Sequence, residues 1–278
     1  MTKPTVAPGR VKEVSSVSNP IVKDIRTLAQ KKGRDESGLF LAEGLKLVVD
    51  ALDAGWTMET LLVAKAKLDG EFLQKTAARA VASGADLLEC SEKVLAAVAR
   101  RDNPQSAIGV FRRHLTPLDR IETGADGVIV ALDRVRDPGN LGTILRTSDA
   151  AGVKGLVLVG DCVDPFSLEA VRATMGSIFA VPVARTDEAG FLAWRKRFSG
   201  LVVGTHMRGQ TDYRKARYTG RASVILMGNE QSGLSEGLAG ACEALVRIPQ
   251  VGRADSLNLA VATALMIFEA RRDALKLD

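Results

Sequence analysis

From Gly127 onward the chain alternates short, mostly apolar runs with stretches of helical period: GVIVAL, NLGTILRTSDAAG, GLVLVG, FSLEAVRAT, IFAVPV, EAGFLAWRKRF, GLVVGT, ASVILMG, ALVRI and SLNLAVATALMIFEARRD. A strand with one wet face alternates apolar and polar residues; a strand that is apolar throughout has both faces covered. Such strands, separated by helices, predict a parallel α/β sheet lying between two helical layers. In sheets of this kind, polar residues just beyond the strand C-termini face the crevice where ligands bind. The turns after these strands are therefore where chemistry is expected.

Three of those turns stand out. The run RASVILM stops at Gly228-Asn229-Glu230 within MGNEQSGLSEGL, the run ALVRI stops at Pro249, and Asp255-Ser256-Leu257-Asn258 opens a long apolar helix. Upstream, DRVRDPGNLGTILRTSDAAGV puts Asn140 at a turn and Arg146 on the helix that follows. Glu230 lies between Gly228 and Gly233, which would let the backbone approach a ligand closely. Ser256 is expected at the N-terminus of the last helix with Asn258 one turn in, where free N–H groups and the positive dipole end favour a phosphate. Taken singly, each turn could be ordinary: a Pro-Gly turn with an Asn cap, a Gly-rich loop with Ser235 capping the next helix, an N-cap. The chain has no G-x-G-x-x-G and no Walker A sequence, which argues against an α/β enzyme built around NAD or ATP.

The N-terminal part reads differently. Residues 1–18 look loosely ordered, and Ser18-Asn19-Pro20 is a helix start followed by the stripe Ile21, Ile25, Leu28 and Ala29. After Lys31-Lys32-Gly33-Arg34 come a strand in GLFLA, a helix from Glu43 to Gly55, a strand in TLLVA, a helix in LDGEFLQKTAARAVAS, a strand in ADLLEC, a short helix capped by Ser91 and a strand in QSAIGVF. These elements predict a small α/β domain over residues 1–113, a linker at 114–126 where Pro117 and Gly124 interrupt the pattern, and a second domain over 127–278. Phe40, Phe72 and Phe111 are expected in strands as core, and Trp56 and Trp194 as packing residues.

The net charge of +5 is unevenly placed: residues 1–115 carry 18 Lys/Arg against 14 Asp/Glu, the remainder 20 against 19. Lys23, Arg26, Lys31, Lys32 and Arg34 make the N-terminal region the expected contact for a polyanion, although a solvated helix face has the same composition. Cys90, Cys162 and Cys242 lie far apart in no metal-binding spacing, and the two histidines, His114 and His206, give little from which to build a zinc site or a serine triad. No metal is expected. Scattered reduced thiols, no apolar run of membrane-spanning length and no signal-peptide core in the first ten residues predict a cytoplasmic protein.

The segments DPGNLGTILRTSDAAGV, ILMGNEQSGLSEGL and IPQVGRADSLNLAVATAL, in this order, resemble the SpoU/TrmH-type RNA 2′-O-ribose methyltransferases of the SPOUT superfamily. SNPIVKDIRTL and GLFLAEGLKLVVDAL resemble the substrate-binding domain that precedes many members, so the resemblance covers nearly the whole chain. It implies a parallel α/β domain with a deep trefoil knot, which from principle alone would not be expected, and a small α/β RNA-binding domain before it. It implies S-adenosylmethionine as cofactor, held near Thr205, Met227, Gly228, Ile248 and Leu257, and a homodimer with the cofactor site close to its interface. The family's polar positions fall on Asn140, Arg146, Glu230, Ser256 and Asn258, with Asn140 and Glu230 expected to orient Arg146. By analogy with relatives, the separate N-terminal domain favours ribosomal RNA over tRNA as substrate. A non-catalytic RNA-binding protein retaining the fold is the alternative, and the presence of all five polar positions weighs against it.

Overall fold

A computed structural model describes residues 7–277, which divide into two compact units. One runs to His114 and also takes in Phe166–Phe179; the other comprises Leu115–Pro165 and the chain from Ala180 onward.

The first unit holds β1 (Val11–Val14), α1 (Pro20–Thr27), α2 (Lys31–Ser37), β2 (Leu39–Glu43), α3 (Leu45–Asp53), β3 (Met58–Ala64), α4 (Glu71–Ala82), β4 (Asp86–Cys90), α5 (Glu92–Ala99) and β5 (Ala107–Arg112). Its five strands form a mixed sheet in the order β1-β4-β3-β5-β2, with β5 antiparallel to both neighbours. Asn19 caps α1 as its position before Pro20 predicts, its side chain accepting from Ile21 N at 2.9 Å. Three expectations fail here. Residues 11–14, expected to be loose, form an edge strand paired in parallel with β4. Lys31–Ser37 is helical although its sequence, KKGRDES, has no apolar stripe to announce it. Phe72 is the second residue of α4 and 60% exposed, whereas Phe40 and Phe111 are core residues as expected.

The second unit holds β6 (Val128–Asp133), α6 (Pro138–Ala150) and β7 (Gly155–Val159). The helix expected in FSLEAVRAT, α7 (Leu168–Thr174), belongs instead to the first unit. There Leu168 joins the core, and Arg172 pairs with Glu43, a carboxylate 1% exposed that needs a cation once it is removed from water. Of the expected strand IFAVPV only its end survives: Ser177–Phe179 is a 3₁₀ turn, and β8 begins at Val183. After β8 (Val183–Thr186) come α8 (Glu188–Arg195), β9 (Leu201–Thr205), β10 (Thr211–Asp212), β11 (Ser223–Met227), α9 (Glu236–Gly240), β12 (Ala244–Arg247) and α10 (Leu259–Arg271). The seven strands form one sheet, wholly parallel, in the order β10-β12-β9-β11-β6-β7-β8. That is the arrangement the continuous apolar runs demand, and β6, β7 and β11 are buried at every position. The segment expected as a linker is docked on this unit: Thr116 N donates to Val183 O at 2.8 Å, and Leu118 and Ile121 pack on its core.

Parallel strands end on one side, so the turns after β6, β9, β11 and β12 share an edge of the sheet. Trp194 stacks on Phe198 at 4.8 Å, and Trp56 meets Phe179 edge-on at 5.3 Å, both as packing residues. Burial pushes the Cys90 and Cys242 thiols up to about 12 and raises that of Cys162. Among the described residues no helix is long and apolar enough to cross a membrane.

Candidate active site

The turn after β6, the loop after β11 and the start of α10 meet through three side chains. Asn258 is the N-cap of α10: its Oδ1 accepts from Ala260 N at 2.9 Å and Val261 N at 3.2 Å. A cap of this kind is worth about 1 kcal/mol. With its oxygen committed, Asn258 has its amide nitrogen left, and Nδ2 donates to Asn140 Oδ1 at 2.9 Å. That leaves the Asn140 Nδ2 to donate to Glu230 Oε1 at 3.1 Å. An amide offers distinct donor and acceptor ends, so the helix cap sets the direction of the whole relay and makes Glu230 its terminal acceptor.

This geometry corrects two expectations. The helix starts at Leu259, and Ser256 lies exposed in the preceding turn; the N–H groups expected to be free for a phosphate are those Asn258 already satisfies. Within one chain, Asn140 and Glu230 also do not contact Arg146. They hold each other and Asn258, while Arg146 sits six residues further along α6, about 9 Å along the axis at the helical rise. Its side chain is exposed and makes no hydrogen bond or ion pair among the described residues.

A second arrangement escaped the sequence reading. Asp133, the last residue of β6, is 2% exposed, and both its carboxylate oxygens receive the guanidinium of Arg134 at 2.8 Å. Arg134 itself has φ of 50°, a left-handed conformation uncommon outside glycine. From there Arg134 Nη2 donates to Gly233 O at 3.3 Å, its carbonyl accepts from Asn229 Nδ2 at 2.8 Å, and Asp133 Oδ2 accepts from Ser235 N at 3.1 Å. The pair thus ties down both ends of the loop that carries Glu230. Inside the loop, Asn229 Oδ1 accepts from the backbone of Gln231 and Ser232. Gly228 is required by this closure, since a Cβ there would lie 2.4 Å from Leu234 N. The available signal was a charged doublet directly after a wholly apolar strand.

Beside the loop lies a cavity of about 450 Å³, within the range of small-molecule sites. Thr205, Met227, Gly228, Ile248 and Leu257 all line it, and Ser256 stands at its wall. An adjoining polar hollow is lined by Arg134, Arg136, Asn140, Glu230 and Asn258. Arg146 borders neither. Among the described residues no group of three His, Cys, Asp or Glu side chains could hold a metal ion.

The N-terminal cations divide. Lys23 and Arg26 are exposed on α1, but Lys31 pairs with Asp35 at 2.6 Å and Lys32 with Glu36 at 3.8 Å. Arg34 is 3% exposed and donates to Leu28 O at 2.9 Å, so it offers nothing to RNA. The cause is Gly33, where a Cβ would lie 2.3 Å from Thr27 O; without one, α2 closes on the end of α1 and the next guanidinium meets an orphan carbonyl there.

Residues 127–268 match the SpoU rRNA Methylase family. The chain belongs to that family. Residues 19–109 match the MRM3-like substrate binding domain. Among SpoU relatives, a 23S rRNA (uridine(2479)-2′-O)-methyltransferase of Streptomyces viridochromogenes is 32% identical over 88% of this chain and 86% of its own. A 23S rRNA (guanosine(2553)-2′-O)-methyltransferase of Bacillus subtilis is 30% identical over 94% of this chain and 100% of its own. The AdoMet-bound structure of an rRNA methyltransferase from Sinorhizobium meliloti is 55% identical, with a TM-score of 0.91, covering 96% of this chain and all of that one.

Proposed function

We infer that this protein is an S-adenosylmethionine-dependent 2′-O-ribose methyltransferase acting on ribosomal RNA. The observation that carries the reading is the cavity beside the Asn140–Glu230–Asn258 relay, in a SpoU-family chain whose relatives are 23S rRNA 2′-O-methyltransferases. The residues present suit the cofactor: apolar Met227, Ile248 and Leu257 for its carbon skeleton, Thr205 and exposed backbone for its polar ends. When bound there, S-adenosylmethionine supplies a methyl group made electrophilic by the attached sulfonium. The protein's task is then placement, which can be worth about 7–11 kcal/mol when reacting groups are aligned.

A ribose 2′-OH is a poor nucleophile, so charge developing on its oxygen must be met. Arg146 is assigned to that oxygen and the neighbouring phosphate. A guanidinium stays protonated in proteins, so Arg146 stabilises the alkoxide electrostatically while the proton leaves to phosphate or water. Ser256 offers a hydroxyl to substrate or cofactor. Asn140, Glu230 and Asn258 position the loops between which they run.

Arg146 lines neither cavity of its own chain, which supports its reaching the site of a second copy. The outward face of α10 favours such a homodimer: Val261, Leu265 and Phe268, at i, i+4 and i+7, are 51%, 38% and 50% exposed. The path of the chain from β11 out past β9 to β12, then back as α10 against β6 and β11, is consistent with the trefoil knot of the resemblance. The unit ending at His114 is assigned to substrate selection, and an rRNA substrate implies work in the cytoplasm.

The test is transfer of a labelled methyl group from S-adenosylmethionine to purified 23S rRNA and tRNA, with 2′-O-methyl mapping. Label is expected in rRNA and lost by at least about a thousandfold in Arg146→Ala, since one transition-state donor is commonly worth a hundred- to thousandfold and Arg146 also orients substrate, with cofactor binding retained. Label in tRNA alone overturns the substrate, and lost cofactor binding in Arg146→Ala overturns the role. Mixing inactive Arg146→Ala with inactive Leu257→Trp should restore part of the activity if each site borrows its arginine. No restoration from mixed dimers contradicts that arrangement.

A further inference from the structure

We propose that Arg208, Lys215, Arg217 and Arg247 form a second RNA-binding surface, running from the rim of the cofactor cavity along the segment after β10, that grips the phosphodiester strand flanking the target ribose. The proposal rests on the methyltransferase reading for the identity of its ligand. Its starting point is a charge imbalance that whole-chain composition hides: residues 206–221 carry five Lys/Arg and one acidic residue, Asp212.

That acid is already engaged. Arg214 donates to both its carboxylate oxygens, at 3.0 and 2.5 Å, and these hydrogen bonds hold its pKa down at about 2. Arg221 pairs with Glu243 at 3.0 Å. Arg208, Lys215, Arg217 and Arg247 are exposed, and none makes a side-chain hydrogen bond or ion pair among the described residues. Two border the cavity and two follow it in the chain. Arg208 and Arg247 both line the cavity, and β10 pairs with β12 so that Asp212 lies level with Arg247, with Lys215 and Arg217 in the turn that follows.

Four exposed cations with no side-chain hydrogen bond or ion pair, two lining the cavity and two in the segment that leads away from it, are suited to a polyanion longer than the cavity itself. Each phosphate neutralised releases condensed counterions, with a salt-dependence slope of about 0.7–0.9 per contact. Cations already paired must break that pair first and contribute less. The surface from Arg208 to Arg247 thus adds a phosphate grip to that of Lys23 and Arg26 on α1, while Lys31 and Lys32 are weakly paired and Arg34 is buried. Target nucleotides would be held by the same unit that methylates them.

The experiment measures binding of purified 23S rRNA to the full-length protein across a salt series, alongside binding of S-adenosylmethionine. The double variant Lys215→Ala/Arg217→Ala is chosen because neither residue lines the cavity. Its RNA dissociation constant should rise about tenfold or more, and its salt slope should fall by about 1.5, while cofactor affinity stays within about twofold. Lys215→Glu alone should lose at least as much per residue, guarding against a fold defect in the double variant. Lys31→Ala/Lys32→Ala should change RNA affinity less than about threefold. An unchanged affinity and slope in the rim variants, or a larger loss in the N-terminal pair, overturns the proposal. A wild-type protein that methylates rRNA while the rim variants bind it normally brings down the rim surface alone; a wild type that never methylates rRNA brings down the methyltransferase reading itself.

Discussion

The stretch from Lys23 to Arg34 and the stretch from Arg208 to Arg221 have the same charge content, five basic residues and one acidic residue each. They differ in what the fold does with it. In the first, Asp35 and Glu36 stand four residues after Lys31 and Lys32 on the same helix face, and Gly33 draws Arg34 into the interior. In the second, Arg214 makes the side-chain hydrogen bonds to the local acid, and neither Lys215 nor Arg217 has a carboxylate four residues on. Formal charge is a property of composition; charge available to a ligand depends on the neighbours one helical turn away.

Three substitutions probe that contrast, in decreasing order of effect. Arg34→Ala should lower unfolding free energy by about 2–3 kcal/mol, because it removes a charged donor and strands the Leu28 carbonyl in the interior. RNA affinity of the folded protein should be unaltered; a large loss of RNA binding at unchanged urea midpoint would make Arg34 a contact after all and erase the contrast. Arg134→Ala, a cation of the second unit that is paired, should cost about 1–2 kcal/mol, less than a fully buried pair because the arginine is partly in water. It should also weaken cofactor binding by about tenfold as the Glu230 loop loosens, a loss of about 1.4 kcal/mol, with the RNA salt slope unmoved. A changed slope with intact cofactor binding would place Arg134 among the free cations instead.

The smallest effect is expected from Asp35→Asn. Lys31 and Arg113 hold the Asp35 carboxyl down at about 2, against an ordinary value of 3.8. A depressed folded-state value means the stabilisation is present above 3.8 and disappears as pH falls towards 2. Thermal midpoints of wild type and Asp35→Asn should thus differ slightly at neutral pH and converge on acidification. At neutral pH the variant, having released Lys31 and Arg113, should bind RNA slightly more tightly. A gap in midpoint that widens on acidification would disprove the assignment.

The parallel sheet was legible because strands buried on both faces are apolar but for their ends, as in VIVALD and SVILM, where only Asp133 and Ser223 are polar. The polar positions were legible as a set of turns, and the structure brings Asn140, Glu230 and Asn258 within hydrogen-bond reach. What stayed hidden depended on partners distant in sequence. α2 has no apolar stripe, since its stability comes from Gly33 fitting against α1 and from its ion pairs. α7 carries the sequence of one unit but the contacts of the other, because Glu43 needs Arg172. The start of α10 falls two residues later than expected because Ser256 and Asn258 are equally good caps by type, and only the amide's other end, on Asn140, decides between them.

Asn258 does two jobs with one amide, and this joins assembly to competence. The last helix cannot be properly begun without orienting the group that aligns Asn140 and Glu230, and the alignment cannot exist before that helix does. Without α10 the turns after β6 and β11 keep their own hydrogen bonds but lose the amide that links them to the last helix. Helix start and side-chain alignment are in this way one event rather than two.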